Sequence, residues 1–186
     1  MSQPASGPAG HEGAPDRLRE AVSRNPRAMT SQLAREFGVP EVEVVRAIPD
    51  GRAVELDASR WEGLLRGFEA LGPVWVLVSS GAATAEVAGR FGGFSTAGEY
   101  FNVQTDSLDL HVRWPELGAV FAVEKPAHTG GAATHSVQFF DRSGAAALKV
   151  FLNFGGPIPQ DRLAHFSRLR VEYRKPAVPA GGRRGG

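Results

Sequence analysis

The apolar periodicity of this sequence changes near residue 73, and that change constrains the fold more than any other feature. Before it, apolar residues recur three and four positions apart, as in amphipathic helices. After it they alternate, as in strands with one buried face. Helices followed by consecutive strands are typical of α+β proteins. We therefore predict one domain, with a helical segment at 15–72, a sheet and closing helix at 73–172, and disordered tails at 1–14 and 173–186.

Local patterns give approximate bounds for these elements. The helices are predicted at 15–26, 30–39, 40–49, 57–72 and 157–170. The strands are predicted at 74–79, 84–91, 100–104, 107–114, 118–125, 135–140 and 147–152. We expect a large, mostly antiparallel sheet on which the N-terminal helices pack, followed by a C-terminal helix.

Composition excludes several classes of site. The chain has no cysteine, so disulfides, thiolate zinc sites, iron–sulfur clusters and a cysteine nucleophile are ruled out. Its net charge is +1, which gives no general attraction for nucleic acid. The N-terminus lacks the basic start and apolar run of a secretory signal, and the apolar stretch at 74–78 is too short to cross a bilayer. We expect a cytoplasmic protein that neither inserts into membranes nor binds nucleic acid.

The stretch GEYFNVQTDSLDLHVRW, residues 98–114, is typical of a hairpin whose two faces differ in polarity. With the turn at Thr105–Asp106, apolar side chains lie on one face and polar ones on the other. This register pairs Tyr100 with His111, with Cβ atoms about 5 Å apart, because paired residues share a face. Arg113 lies one pair further along. We therefore predict that a phenol, an imidazole and a guanidinium lie together on the polar face.

These three groups suit one kind of ligand. Tyrosine and histidine can ligate a haem iron, and a neighbouring cation favours the phenolate over the phenol. Arginine pairs with carboxylates, including the propionates of a porphyrin. A sheet with one solvent-exposed face has the same pattern, however. The spacing by itself favours that simpler explanation.

Three stretches favour a haem site over a merely solvent-exposed face. They are EYFNVQ at 99–104, THSVQFFDRSGAAALKVFL at 134–152 and LAREFGVPEVEVVRAIP at 33–49. Together they resemble the cytosolic haem-utilisation carriers of the ChuX/HutX type, in the family's order, over about residues 16–170. The resemblance implies a HemS/ChuX-like α+β fold, binding of haem b and a homodimer. It implies a non-enzymatic carrier that delivers or stores haem inside the cell, with a haem importer or a haem-degrading enzyme as further partners.

The resemblance also implies roles for individual residues. Tyr100 matches the tyrosine of the family's GYFN motif, and His111 matches a histidine of the next strand, so both are candidate iron contacts. Arg113 and Lys149 are candidates for contacts with propionates. Many relatives carry further histidines, one after the first long strand and one before the tyrosine motif. This sequence has Ser79 at the first of these positions.

At the position before the tyrosine motif, this sequence has Gly98 instead of a histidine. Tyr100 and His111 are therefore the remaining iron-ligand candidates.

Two other functions stay open at this point. Haem degradation would need an electron donor, and no flavin or nicotinamide motif is recognisable. A helix-turn-helix DNA-binding regulator would use 32–48, but its second helix offers Glu41, Glu43 and only one arginine.

Overall fold

The structure, a computed structural model, describes residues 13–177 of the 186-residue chain. The tails predicted at 1–14 and 173–186 therefore lie mostly outside the described residues, which exclude 1–12 and 178–186. The helices are α1 (Ala14–Arg24), α2 (Thr30–Phe37), α3 (Glu41–Arg46), α4 (Trp61–Gly67) and α5 (Gln160–Glu172). The strands are β1 (Ala53–Leu56), β2 (Pro73–Ser79), β3 (Thr84–Arg90), β4 (Phe94–Ala97), β5 (Tyr100–Gln104), β6 (Asp109–Arg113), β7 (Leu117–Lys125), β8 (Thr134–Asp141) and β9 (Ala146–Phe151).

The strands form two antiparallel sheets. A six-stranded sheet has the order β1-β7-β8-β9-β2-β3, and a three-stranded sheet has the order β4-β5-β6. Every neighbouring pair of these strands is antiparallel. The predicted α+β class is confirmed. Between the predicted helices 40–49 and 57–72 the structure adds a short strand, β1, which pairs with β7.

Two residues fix helix ends in the N-terminal segment, a glycine after α2 and an aspartate before α4. Gly38 follows α2 with φ of 64°, a left-handed conformation that glycine adopts without steric cost. Asp57 caps the short 3-10 turn before α4, its carboxylate accepting from the Ser59 N–H at 3.0 Å. These positions agree within one residue with the end of the helix predicted at 30–39 and the start of the helix predicted at 57–72.

The main core lies between the two sheets. It combines one face of the six-stranded sheet, the apolar face of the three-stranded sheet, and residues of α4 and α5. Phe68, just after α4, is fully buried at its centre and contacts Phe91 and Phe139 edge to face. One hydrophobic unit therefore links both sheets.

The other face of the six-stranded sheet is only partly covered. Val42 and Val45 of α3 pack on Phe121 and Phe140, at the β7–β8 side of the sheet. Further along, at β9 and β2, this face carries exposed side chains, among them Trp75. The incomplete cover leaves a cleft between the N-terminal helices and the sheet.

Candidate functional site

The β5–β6 hairpin carries three of the four predicted site residues, in a register that differs from the prediction. Tyr100 pairs with Arg113, and Asn102 pairs with His111. The expected direct pairing of Tyr100 with His111 was therefore wrong by two residues. A shift of two leaves every side chain on its own face, because strand side chains alternate. Tyr100, His111 and Arg113 do share the polar face, but Tyr100 and His111 are diagonal neighbours.

The loop between these strands explains the shift. Thr105 does not start a two-residue turn: its N–H donates to the Leu108 carbonyl at 2.8 Å. Its hydroxyl accepts from the Leu108 N–H at 3.2 Å. The loop therefore spans 105–108. Without the Asn-Gly or Asp-Gly pair that favours tight hairpin turns, the chain adopts the wider connection.

The His111 ring is oriented by a neighbouring amide. Asn102 is buried and donates through Nδ2 to Ser95 Oγ at 3.1 Å, which turns its oxygen towards the histidine. The Nδ1–H of His111 donates to that oxygen at 2.7 Å. In the neutral ring, Nε2 therefore carries the lone pair. Asp109 Oδ1 lies 3.4 Å from Nε2, so a cation bound there would have a carboxylate beside it.

Arg113 is held by two carboxylates. Its Nε and Nη2 donate to Glu99 Oε2 at 3.2 and 3.0 Å, and its Nη1 donates to Glu116 Oε1 at 3.0 Å. The hydrogen bond with Glu99 and the charges of both carboxylates raise the pKa of Arg113 above its usual value. Tyr100, on the paired position, is 45% exposed. Apart from the buried Asn102, the polar face of the hairpin is thus a solvent-exposed surface with fixed charges.

Lys149, the fourth predicted residue, lies elsewhere, in the cleft under the N-terminal helices. This cleft has a volume of about 1040 Å³ and is bounded by α2, the start of α3 and the open face of the six-stranded sheet. Ser79 also lines it. Tyr100, His111 and Arg113 do not belong to its lining. The predicted site residues are therefore divided between two surfaces.

On the cleft floor, Lys149 points away from the main core. Its neighbours Leu148 and Val150 belong to that core, and side chains alternate along a strand. It is only 8% exposed, and its ammonium contacts Glu41 Oε1 at 2.5 Å. The Thr30 hydroxyl donates to the same carboxylate oxygen at 2.5 Å. Lys149 is therefore a buried cation with one carboxylate partner, supplied by the first residue of α3.

A second ammonium lies close to the first. Lys125, at the end of β7, donates to the Ala28 carbonyl. Burial and, to a smaller extent, repulsion from the Lys149 charge lower the pKa of Lys125 to about 8, although the Glu41 carboxylate acts in the opposite sense. Two lysines thus share one nearby carboxylate.

Gln138 adds an unsatisfied polar group to the floor. It pairs directly with Lys149 across β8 and β9, lines the cleft and is 3% exposed. Its Nε2 donates to Ser136 Oγ at 3.0 Å, whereas its Oε1 has no hydrogen-bond partner. A buried amide with a free position is suited to a polar ligand, because leaving such a group unpaired costs stability.

Aromatic rings border the charged floor. Phe151, two residues beyond Lys149 on β9, stacks on Phe154 with ring centroids 4.8 Å apart. Trp75 contacts Phe154 edge to face at 5.1 Å. Trp75 and Phe154 are 39% and 36% exposed, which is unusual for rings of this size. The cleft therefore combines a buried cation with the rings of Phe151 and Phe154, and Trp75 extends this aromatic surface beside the cleft.

Sequence reasoning missed several of these residues, including Gln138, Phe151 and Lys125. Two of them were within reach: Phe151 shares the parity of Lys149 on one strand, and the register of the β8–β9 hairpin places Gln138 beside it. Glu41 could not be found from the sequence, because its contact with Lys149 joins residues 108 positions apart.

Among residues 13–177, no cluster of three or more His, Asp or Glu side chains is arranged to hold a metal ion. No helix in that range is long and apolar enough to cross a bilayer.

Known proteins share both the sequence and the fold. Residues 54–169 match the family described as Haem utilisation ChuX/HutX. The intracellular heme transport protein HutX of Vibrio cholerae is 24% identical over 169 residues, which cover 88% of this chain and 86% of that protein. The crystal structure of ChuX superposes with a TM-score of 0.75 at 21% identity, covering 84% of this chain and 97% of that one.

A larger protein contains the same fold. The Escherichia coli O157:H7 heme degrading enzyme ChuS superposes with a TM-score of 0.72 at 22% identity, covering 89% of this chain and 48% of that one. The resemblance drawn from the sequence and the expected HemS/ChuX-like fold are both confirmed. This chain belongs to the haem utilisation ChuX/HutX family.

Proposed function

We propose that this protein binds haem b and carries or stores it in the cytoplasm. The observation that carries the proposal is the cleft, in which a buried ammonium, an unsatisfied amide and exposed aromatic rings lie together. A haem has an apolar ring and anionic propionates, so its two kinds of surface match the two parts of this site. Family membership supports the same ligand, since the HutX relative is named an intracellular heme transport protein.

The iron contacts belong to the hairpin in this proposal. Tyr100 offers an exposed phenol, and His111 offers an Nε2 lone pair oriented by Asn102. Arg113 and Lys149 serve the propionates, and each would exchange one of its present carboxylate partners for the ligand. When bound, haem brings an iron that accepts these ligands.

A homodimer would reconcile the two surfaces. Tyr100 and Lys149 lie on different sheets, and Tyr100 does not line the cleft. In a pair of chains, the hairpin of one could face the cleft of the other, so that one haem contacts both. Light scattering with and without haemin would test this arrangement; a monomer under both conditions would contradict it.

Replacing Tyr100 tests the iron contact. We expect Tyr100→Phe to shift the ferric haem spectrum and to weaken haemin binding on the order of tenfold, because a phenolate ligand is lost while the ring is kept. The measurement is a haemin titration followed in the Soret region. Tyr173→Phe removes the other tyrosine hydroxyl of the chain, next to the core, and should leave the spectrum unchanged. Identical spectra for the wild type and Tyr100→Phe would discard this ligand.

We propose a carrier rather than an enzyme, although the fold also occurs in the haem-degrading ChuS. A reductant added to the haemin complex in air, with catalase present, separates the two functions. A stable Soret band and transfer of haem to apo-myoglobin support a carrier, whereas loss of the band with iron release supports degradation. A DNA-binding role is not proposed: α3 has six residues, and its Val44 and Val45 are fully buried.

A further inference from the structure

We propose that Glu41 competes with the ligand for Lys149, and that the cleft selects planar aromatic molecules that carry a carboxylate on a short tether. The proposal rests on the proposed function and deepens it, because it names the internal group that limits affinity at that site. Glu41 is thus an affinity-setting residue, and its carboxylate occupies the position that a propionate would take.

The charge of the cleft floor favours such an exchange. Lys149 and Lys125 repel one another, and Glu41 contacts the Lys149 ammonium while its charge also acts on Lys125. Beside the buried Lys149, the ion pair with Glu41 is thus accompanied by a second ammonium, that of Lys125. An arriving carboxylate finds a cation that is already desolvated, and charge-assisted hydrogen bonds are the strong ones.

Gln138 can serve the same carboxylate. Its side-chain amide lies beside Lys149, with Cβ atoms about 5 Å apart as in any direct cross-strand pair. The Ser136 hydroxyl can accept from the amide nitrogen or donate to the amide oxygen. A half-turn of the amide therefore keeps its contact with Ser136 and presents the N–H₂ group to a ligand. Gln138 would thus give the ligand a hydrogen-bond donor, and no hydrogen bond joins Gln138 to Glu41 in the present arrangement.

Displacement of Glu41 does not require the helices to leave the sheet. The Val42 N–H donates to the Gly144 carbonyl at 3.1 Å, and Val42 and Val45 pack on the sheet. These contacts hold α3 independently of the ion pair. The Glu41 side chain can therefore rotate out of the cleft while the backbone stays in place.

The aromatic surface defines the other half of the ligand. Phe151 lies two residues from Lys149 on the same face of β9, about 7 Å away along the strand. A ring stacked on Phe151 and Phe154 thus places a tethered carboxylate near the ammonium. Haem with its propionates belongs to this class, and so do iron-free aromatic carboxylates.

Pyrene derivatives test the competition without iron. The probe is 1-pyrenebutyrate, with 1-pyrenebutanol as its neutral counterpart, in fluorescence titrations of the full chain. Glu41→Gln should tighten binding of the carboxylate probe by roughly tenfold, since it removes the charged competitor. Lys149→Met should weaken it by a similar factor, and neither change should alter binding of the alcohol. Glu43→Gln, on the exposed side of the same helix, is the matched control.

Circular dichroism verifies that each variant is folded. If Lys149→Met fails to fold, the proposal is tested by Glu41→Gln and by the preference of the wild type for pyrenebutyrate over pyrenebutanol. An unchanged affinity of Glu41→Gln for pyrenebutyrate, equal effects on both probes, or no binding of pyrenebutyrate would overturn the proposal. Haemin titrations run in parallel separate the two ideas. If haemin does not bind but pyrenebutyrate responds as expected, the haem function fails and the competition stands. If haemin binds and the variants do not respond, the competition fails and the haem function stands.

Discussion

At the scale of single residues, the chemistry of this protein depends on how each charged group is paired. Lys149 is buried against Glu41, whereas Lys125 has a backbone carbonyl as its partner and a second cation nearby. The same residue type therefore has different properties at two positions on one cleft. His111 shows the same dependence, since Asn102 decides which ring nitrogen carries the proton.

The lowered pKa of Lys125 predicts a specific pH dependence of stability. Between about pH 8 and its ordinary value near 10.5, the folded protein has released a proton that the unfolded chain still binds. Stability therefore rises with pH across that window, because deprotonation relieves the cost of a buried charge. Below about pH 8 both states are protonated and this contribution is flat.

Lys125→Met should abolish this rise, which urea unfolding at pH 7.5 to 10 would measure, roughly the window in which a lysine of such pKa titrates. Lys175→Met, a change at an exposed lysine paired with Glu55, is the control and should keep the wild-type profile. Parallel curves for the wild type and Lys125→Met would refute the assignment.

At the scale of elements, the three-stranded sheet depends on close backbone contacts rather than on strand length. Its strands have four or five residues each. Gly93, just before β4, has φ of +65°, and a Cβ there would lie 1.9 Å from the Gln104 carbonyl oxygen. Only glycine lets the chain enter β4 so close to the end of β5.

We expect Gly93→Ala to destabilise the protein by more than the roughly 1–2 kcal/mol that a left-handed alanine costs, because the backbone must also move away from Gln104. Gly38→Ala is the matched control: Gly38 has nearly the same φ, and no atom lies within 4 Å of its Cβ position. The difference between the two free energies of unfolding, from urea titrations, isolates the steric clash. Equal losses would show that the contact with Gln104 does not constrain the sheet.

At the scale of the whole molecule, one core joins both sheets and two helices. Phe68 is fully buried between Phe91, which precedes the three-stranded sheet, and Phe139 of the six-stranded sheet. The position of the hairpin relative to the cleft therefore depends on this core. Damage to it should affect both candidate surfaces together.

Phe68→Ala should lower the free energy of unfolding by about 3–5 kcal/mol, the usual loss for truncating a buried phenylalanine. Unfolding followed by far-ultraviolet circular dichroism and by tryptophan fluorescence should still coincide, as expected for one cooperative unit. Phe68→Leu keeps most of the volume and should lose clearly less stability. Separate transitions for the two signals would indicate that the sheets unfold independently.

The sequence by itself determined the order of the longer helices and strands, the polarity of each strand face, the family and the approximate helix bounds, because motifs, periodicity and turn chemistry are local properties. It did not determine β1 and β4, which are too short to have a pattern of their own and exist through pairing with β7 and β5. The pairing of Tyr100 with Arg113 also depended on the tertiary structure, since alternation fixes a strand's face and leaves shifts of two residues open. The same is true of the contact between Glu41 and Lys149, because only packing of α3 on the sheet brings two such distant residues together.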